Sequence, residues 1–278
     1  MNILSKLENI TIQAIDRFPP EDMEYCKQEE CVYQEIFHIY SEMAFILEDT
    51  NAKLRGYPSC PYIRTLDENK DRVSDCNEVF INNICGYFRK KYAVTVDEPN
   101  WEASYDENGR KYTKERHDIV PLQYILESVY EQMGGMSFEE KAFYELKESA
   151  REAVTAYTGD SKYTISNAKL VVDDFYNSRK DRVFERYMAT VAPKHHSFFK
   201  ALTHFEYGYY GIAQKYRFLC EYRIDEKEGI YDKHPISSAV INMVRVFKNG
   251  KVEIAFKSYG TAVKFMEKYF TGIPQQAA

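Results

Sequence analysis

The sequence predicts an α+β protein, mainly α-helical, ending in a C-terminal β-hairpin packed on a helix (ββα) and carrying a short hairpin near residues 92–118. Three observations carry this. Over most of the chain apolar residues recur at spacings of three and four, the period of a helix with one buried face. Near the C-terminus two alternating apolar runs flank Asn249-Gly250, a pair that tolerates positive φ and suits a type I′ turn. Asn108-Gly109, between Tyr105 and Tyr112, repeats that turn signal in a charged stretch.

Taken in order, Leu4, Leu7, Ile10 and Ile15 predict a first helix that stops before Pro19-Pro20, where the second proline can open the next helix. From Glu21 to Leu54 the residues Val32, Ile36, Ile39, Met43 and Leu47 predict the buried stripe of a long helix. The polar segment Arg64 to Ser74 reads as a loop. Ser74 or Asp75 then caps a helix that buries Ile81, Ile84, Cys85 and Phe88. Tyr92 to Val96 is β-branched enough for a strand. Pro121 opens a helix with Leu122, Ile125, Val129 and Met133 in register, closed by Gly134-Gly135. Ser137-Phe138-Glu139-Glu140 fits a capping box ahead of Phe143, Leu146, Ala150 and Val154. Two more helices are expected, one carrying Val183, Phe184, Tyr187 and Val191, the other Phe198, Leu202 and Phe205. In the final hairpin, a two-residue turn places Met243, Phe247, Val252, Ile254 and Phe256 on one face. A last helix, Tyr259 to Thr271, covers that face with Val263, Met266 and Phe270. Three regions follow: residues 1–91 helical, 92–120 a strand or hairpin arm or linker, and 121–278 helical, ending in the ββα unit.

The 278 residues hold 37 Lys+Arg against 43 Asp+Glu, a formal net charge of -6. That balance argues against a wholly electrostatic nucleic-acid binder. Charged and polar residues enter at Lys6, Glu8 and Asn9, and no run approaches ~18 apolar residues. A cytoplasmic protein with no membrane association is expected. Cys26, Cys31, Cys60, Cys76, Cys85 and Cys220 show no C-x-x-C pairing, so reduced, packed thiols are the default reading. The distinctive feature is aromatic: 24 Tyr and 17 Phe bring the aromatic share to 15%.

No motif specifies a cofactor, and none is expected. Both glycine-rich phosphate cradles and Gly-x-Ser-x-Gly are absent. His38, His117-Asp118 and Asp173-Asp174 follow the ligand order of helical metal phosphohydrolases. His195-His196 and His204 read as surface histidines, since His196 and His204 stand two turns apart and cannot share an ion. A basic stretch, Lys169, Arg179, Lys180, Arg182, Arg186, Lys194 and Lys200, is interleaved with Tyr176, Tyr187 and Phe198, a combination suited to single strands. The final hairpin does not suit RNA stacking, because Val252 and Ile254 stand where aromatics are needed.

Two stretches, Tyr124 to Phe143 and Phe247 to Ser258 with its following helix, are similar to segments of uncharacterised proteins of plasmids, phages and conjugative elements of low-GC Gram-positive bacteria. The resemblance implies an accessory protein that regulates the element, handles its nucleic acid or blocks host defence. The expectation is therefore a non-enzymatic interaction protein that binds a host or element protein. Tyrosine combines contact area with a polar handle, and Phe205, Tyr207, Tyr209 and Tyr210 form the densest candidate surface. The alternatives are a nucleic-acid-binding protein using the basic stretch and a metal-dependent phosphohydrolase or nuclease.

Overall fold

The computed structural model describes residues 17–55, 65–101, 103–105, 111–113, 119–155, 162–180, 185–221 and 223–270. The helix predicted at Leu4 to Ile15 lies outside them. The protein is α+β and mainly helical, its strands all paired antiparallel. It divides into two compact units, Met1–Glu139 and Glu140–Ala278, so the segment expected as an arm falls within the first.

In the first unit, α1 (Pro20–Leu54) starts with Pro20 in its first turn and Glu21 and Asp22 beside the positive helix end. Helix α2 (Thr65–Tyr92) runs back against it: Tyr25 stacks on Tyr87 and Tyr33 on Phe80, with centroids 4.0 and 4.2 Å apart. It begins ten residues before the predicted cap at Asp75. Residues 65 to 74 contain neither Gly nor Pro, so their polarity never amounted to a helix stop. The buried face does hold Ile81, Ile84, Cys85 and Phe88. The strand predicted at Tyr92 to Val96 is irregular instead. Ala93 leaves the helix at φ 58°, and Val94 and Val96 are buried without strand pairing. Their β-branching reflects burial. Strands β1 (Ala103–Tyr105) and β2 (Lys111–Thr113) pair with Ser104 opposite Tyr112, centred on Asn108, which itself lies outside the described residues. Pro121 and the left-handed Gly134 bound α3 (Leu122–Met133), which buries Leu122, Ile125, Val129 and Met133 as predicted.

Helix α4 (Phe138–Ala153) follows Ser137 and leads into the second unit, where Leu146, Ala150 and Val154 are buried. Next come β3 (Tyr163–Ser166), β4 (Lys169–Val172), β5 (Tyr176–Lys180) and β6 (Tyr187–Val191). The helix predicted around Tyr187 and Val191 is therefore a strand, while Val183 and Phe184 lie outside the described residues. Tyr187 and Val191 are four apart, a spacing that fits both a helix turn and one face of a strand. Helix α5 (His196–Tyr207) follows a 3-10 turn at Pro193, and the short α6 (Gln214–Arg217) comes next. Strands β7 (Ile224–Asp225), β8 (Lys233–Pro235), β9 (Ile241–Val246) and β10 (Val252–Phe256) precede α7 (Tyr259–Tyr269). The sheet orders are β3-β4-β10-β9-β8 and β5-β6-β7.

The C-terminal hairpin corrects the predicted register. Val246, not Phe247, stands opposite Val252, and Phe247 N–H donates to Lys251 O at 2.8 Å. The loop therefore has three residues, with Gly250 in its left-handed position at φ 84°. One extra loop residue reverses β9, because side chains alternate with period two. Ile241, Val244 and Val246 face the core, while Met243 and Phe247 are only partly buried. Gly250 O also accepts from Phe175 and Tyr176 N–H, tying this loop to the start of β5. Helix α7 buries Ala262, Phe265, Met266 and Tyr269, with Val263 only half-buried. Its N-cap Ser258 accepts from Thr261 N–H.

Candidate functional site: an apolar face on the first helix

Helix α1 carries two apolar stripes, and α2 covers one of them. Met23, Cys26, Tyr33 and Phe37 are buried. Tyr33 fixes that side, since its hydroxyl donates to Asn77 Oδ1 at 2.6 Å and accepts Val120 N–H at 2.8 Å. Asp22, fully buried at the N-terminal end, accepts from Tyr87 and Tyr92 hydroxyls at 2.7 and 2.6 Å and pairs with Lys91. That carboxylate contact raises the Lys91 pKa. Burial lifts the Tyr33 hydroxyl and Cys26 thiol to about 12 and the Cys85 thiol to about 11, so neither of these two thiols is an activated nucleophile.

The stripe predicted to be buried lies about 100° round the helix, one residue out of phase with Tyr33. Val32, Ile36, Ile39 and Met43 are 55, 42, 56 and 45% exposed, and Ile46 is 60% exposed. Leu47 is half-buried. The error is of phase: periodicity located a real stripe but could not say which stripe α2 would cover. Val32, Ile36, Ile39, Met43 and Ile46 follow spacings of 4-3-4-3, the seam of a coiled-coil helix. Beside the start of this seam runs an open groove of about 230 Å³ between α1 and α2. Its walls include Val32, Ile36 and Tyr40 from α1 and Cys76 and Val79 from α2, with no residue of α3. Val79 is 56% exposed. Large apolar side chains contiguous on a surface are the usual mark of an interaction site.

The aromatic residues proposed from sequence divide into two environments. Phe205 is partly buried against Phe265, and Tyr210 packs on His204 with centroids 4.6 Å apart. Tyr207 and Tyr209 are exposed and stack on each other at 6.0 Å. Lys215 donates to Tyr207 Oη at 2.9 Å and pairs with Glu206, whose pKa is lowered by hydrogen bonds that outweigh its burial.

The basic stretch does not form one helix face. Lys169 is on β4 and faces Glu253 at 3.1 Å, and Arg179 and Lys180 are on β5. Arg186 pairs with Asp225 at 2.7 Å, Lys194 sits in the 3-10 turn, and Lys200 is on α5. Arg182 lies outside the described residues. Of the metal candidates, His38 lies in the first unit and Asp173 and Asp174 in the second. His38 is exposed and meets Glu42 at 3.3 Å, Asp173 pairs with Lys251, and Asp174 lies 3.9 Å from Lys162. His117 and Asp118 lie outside the described residues, among which no group of three His, Cys, Asp or Glu side chains could hold an ion. His195, read as a surface residue, is buried and stacked on Phe175 at 4.5 Å. Burial, followed by Lys194 and Lys162, lowers its pKa to about 4. Among the described residues no helix is long and apolar enough to cross a membrane.

No family model, curated protein or solved structure matches this chain.

Proposed function

We propose that this chain is a non-enzymatic interaction protein that binds a partner protein through the exposed seam of α1 and the groove beside it. One observation carries the reading: a helix fixed in place by a buried polar network presents five large apolar side chains to solvent at coiled-coil spacing. Burying such side chains provides most of the favourable energy of association. The proposed setting is a phage or mobile element, where occluding a host or element protein would regulate the element or block defence. Exposed Tyr207 and Tyr209 are a second proposed contact. The C-terminal hairpin and α7 are read as one ββα scaffold unit, supported by the ring contact of Phe256 with Phe265 at 5.5 Å.

Site-specific photo-crosslinking in a low-GC Gram-positive host tests this. A crosslinker at Ile39 is expected to give one discrete protein adduct in high yield, and one at Tyr259, exposed on α7, is expected to give none. Absence of an Ile39 adduct, or the same adducts from both positions, contradicts the proposal.

A further inference from the structure

The residues flanking the seam are acidic on its open side. Glu35, Glu42 and Asp49 each stand immediately before a position of the 4-3 repeat, namely Ile36, Met43 and Thr50. This is the heptad site whose charge selects a partner helix. Glu29 and Asp75 add negative charge at the groove, where Arg72 is the cation among the lining residues. The opposite flank is Tyr33, Tyr40 and Leu47, of which Tyr33 and Tyr40 line the groove against α2 and Tyr33 is committed to Asn77 and Val120. Helix α2 continues the pattern on its own wall, with Arg72, Cys76, Val79 and Asn83 again spaced 4-3-4. Two antiparallel helices with heptad-spaced walls leave room for a third.

Resting on the reading above, we infer that the partner presents an amphipathic helix of about four turns whose apolar 4-3 seam is flanked by lysine or arginine. The length follows from the seam, since the 15 residues from Val32 to Ile46 rise roughly 22 Å. The charge follows from the flank. A second copy of this chain fits poorly. Antiparallel pairing sets Glu35, Glu42 and Asp49 against their own counterparts, and parallel pairing sets them against the flank that α2 already engages. Net charge of -6 reinforces the preference for a cationic helix. A free helix of this length is marginal in water, so it orders on binding and affinity in the micromolar range is expected.

Three synthetic 22-residue peptides test this on the full chain, with binding read by fluorescence anisotropy. The first carries leucine at 4-3 spacing with lysine flanks, the second the same seam with glutamate flanks, and the third lysine flanks with a serine seam. The lysine-leucine peptide is expected to bind at least tenfold tighter than the glutamate peptide at ~50 mM salt, with the gap narrowing at ~0.5 M salt. Ile39→Asp is expected to abolish that binding, and the serine peptide to bind far more weakly. Equal affinity for the first two peptides overturns the inference, as does undiminished binding of the serine peptide. Dimeric sedimentation that Ile39→Asp converts to monomer also overturns it, because the seam would then belong to a second copy. Any of these results alongside a discrete Ile39 crosslink to another protein removes only the cationic-helix assignment. Loss of the crosslink removes the function proposed above as well.

Discussion

A methyl group at Gly250 would stand 2.3 Å from the Tyr176 carbonyl oxygen, in a backbone already at φ 84°. Gly250→Ala is therefore expected to destabilise the second unit by about 3 kcal/mol or more, combining the left-handed penalty with the clash. Ala168 presents the reverse case. It sits at φ 63° in the Asn167-Ala168 turn between β3 and β4, where a β-carbon is strained. Ala168→Gly relieves that strain but loosens the unfolded chain, leaving a net gain of about 0.5 to 1 kcal/mol. Urea unfolding followed by tyrosine near-UV circular dichroism measures both. His195 gives a pH dependence with a definite sign. Its folded pKa of about 4 lies below the ordinary 6.5, so an acidic medium protonates the unfolded state first. The contribution is fully present above pH 6.5 and lost as pH falls toward 4, roughly 3 kcal/mol at its full extent. His195→Phe, which keeps a ring against Phe175, is expected to flatten that fall, and an unchanged slope would show that other groups cause it.

The α1/α2 hairpin is secured by Asp22 as well as by apolar packing. Asp22→Ala removes the shared acceptor of Tyr87, Tyr92 and Lys91 and is expected to cost about 3 kcal/mol, the lower end for a broken buried pair because Lys91 retains some contact with water. Trp101, the single tryptophan, lies in the same unit against Tyr124, so its fluorescence in urea follows that loss. How much of these elements the sequence carried depends on the signal. Proline and glycine punctuation marked α1 and α3, because Pro20, Pro121 and Gly134 act through the local backbone alone. Asn249-Gly250 marked a hairpin yet gave the wrong phase for β9, since a two-residue loop and a three-residue loop differ by one residue and share the same glycine. Strands β3 to β6 were missed. β3 pairs with β4 and β5 with β6, but four- or five-residue strands leave little periodicity to detect, and the second partner of β4 lies far along the chain, as Leu170 opposite Ile254 shows.

For the whole molecule, the seam of α1 shows what periodicity can and cannot establish. Val32, Ile36, Ile39 and Met43 were visible as a stripe, and the stripe exists. Its exposure was not visible, because Tyr33 and Phe37 form a second stripe one residue away, and only the position of α2 decides which is covered. The tyrosine surplus divides on the same principle. Tyr33, Tyr176, Tyr216 and Tyr269 are core residues, whereas Tyr207 and Tyr209 face solvent. The central claim is that the exposed stripe serves binding and contributes little to the fold. It is tested most directly by the double substitution Ile36→Asp/Ile39→Asp, measured for Trp101 unfolding midpoint and for capture of the Ile39-crosslinked partner. Ile36 and Ile39 are 42 and 56% exposed, so stability is expected to stay within about 1 kcal/mol. Capture is expected to fall at least 100-fold, as removal of two central apolar contacts implies. Unfolding of the first unit would show that the stripe is core, and capture equal to that of the unsubstituted chain would show that the face is not the binding surface.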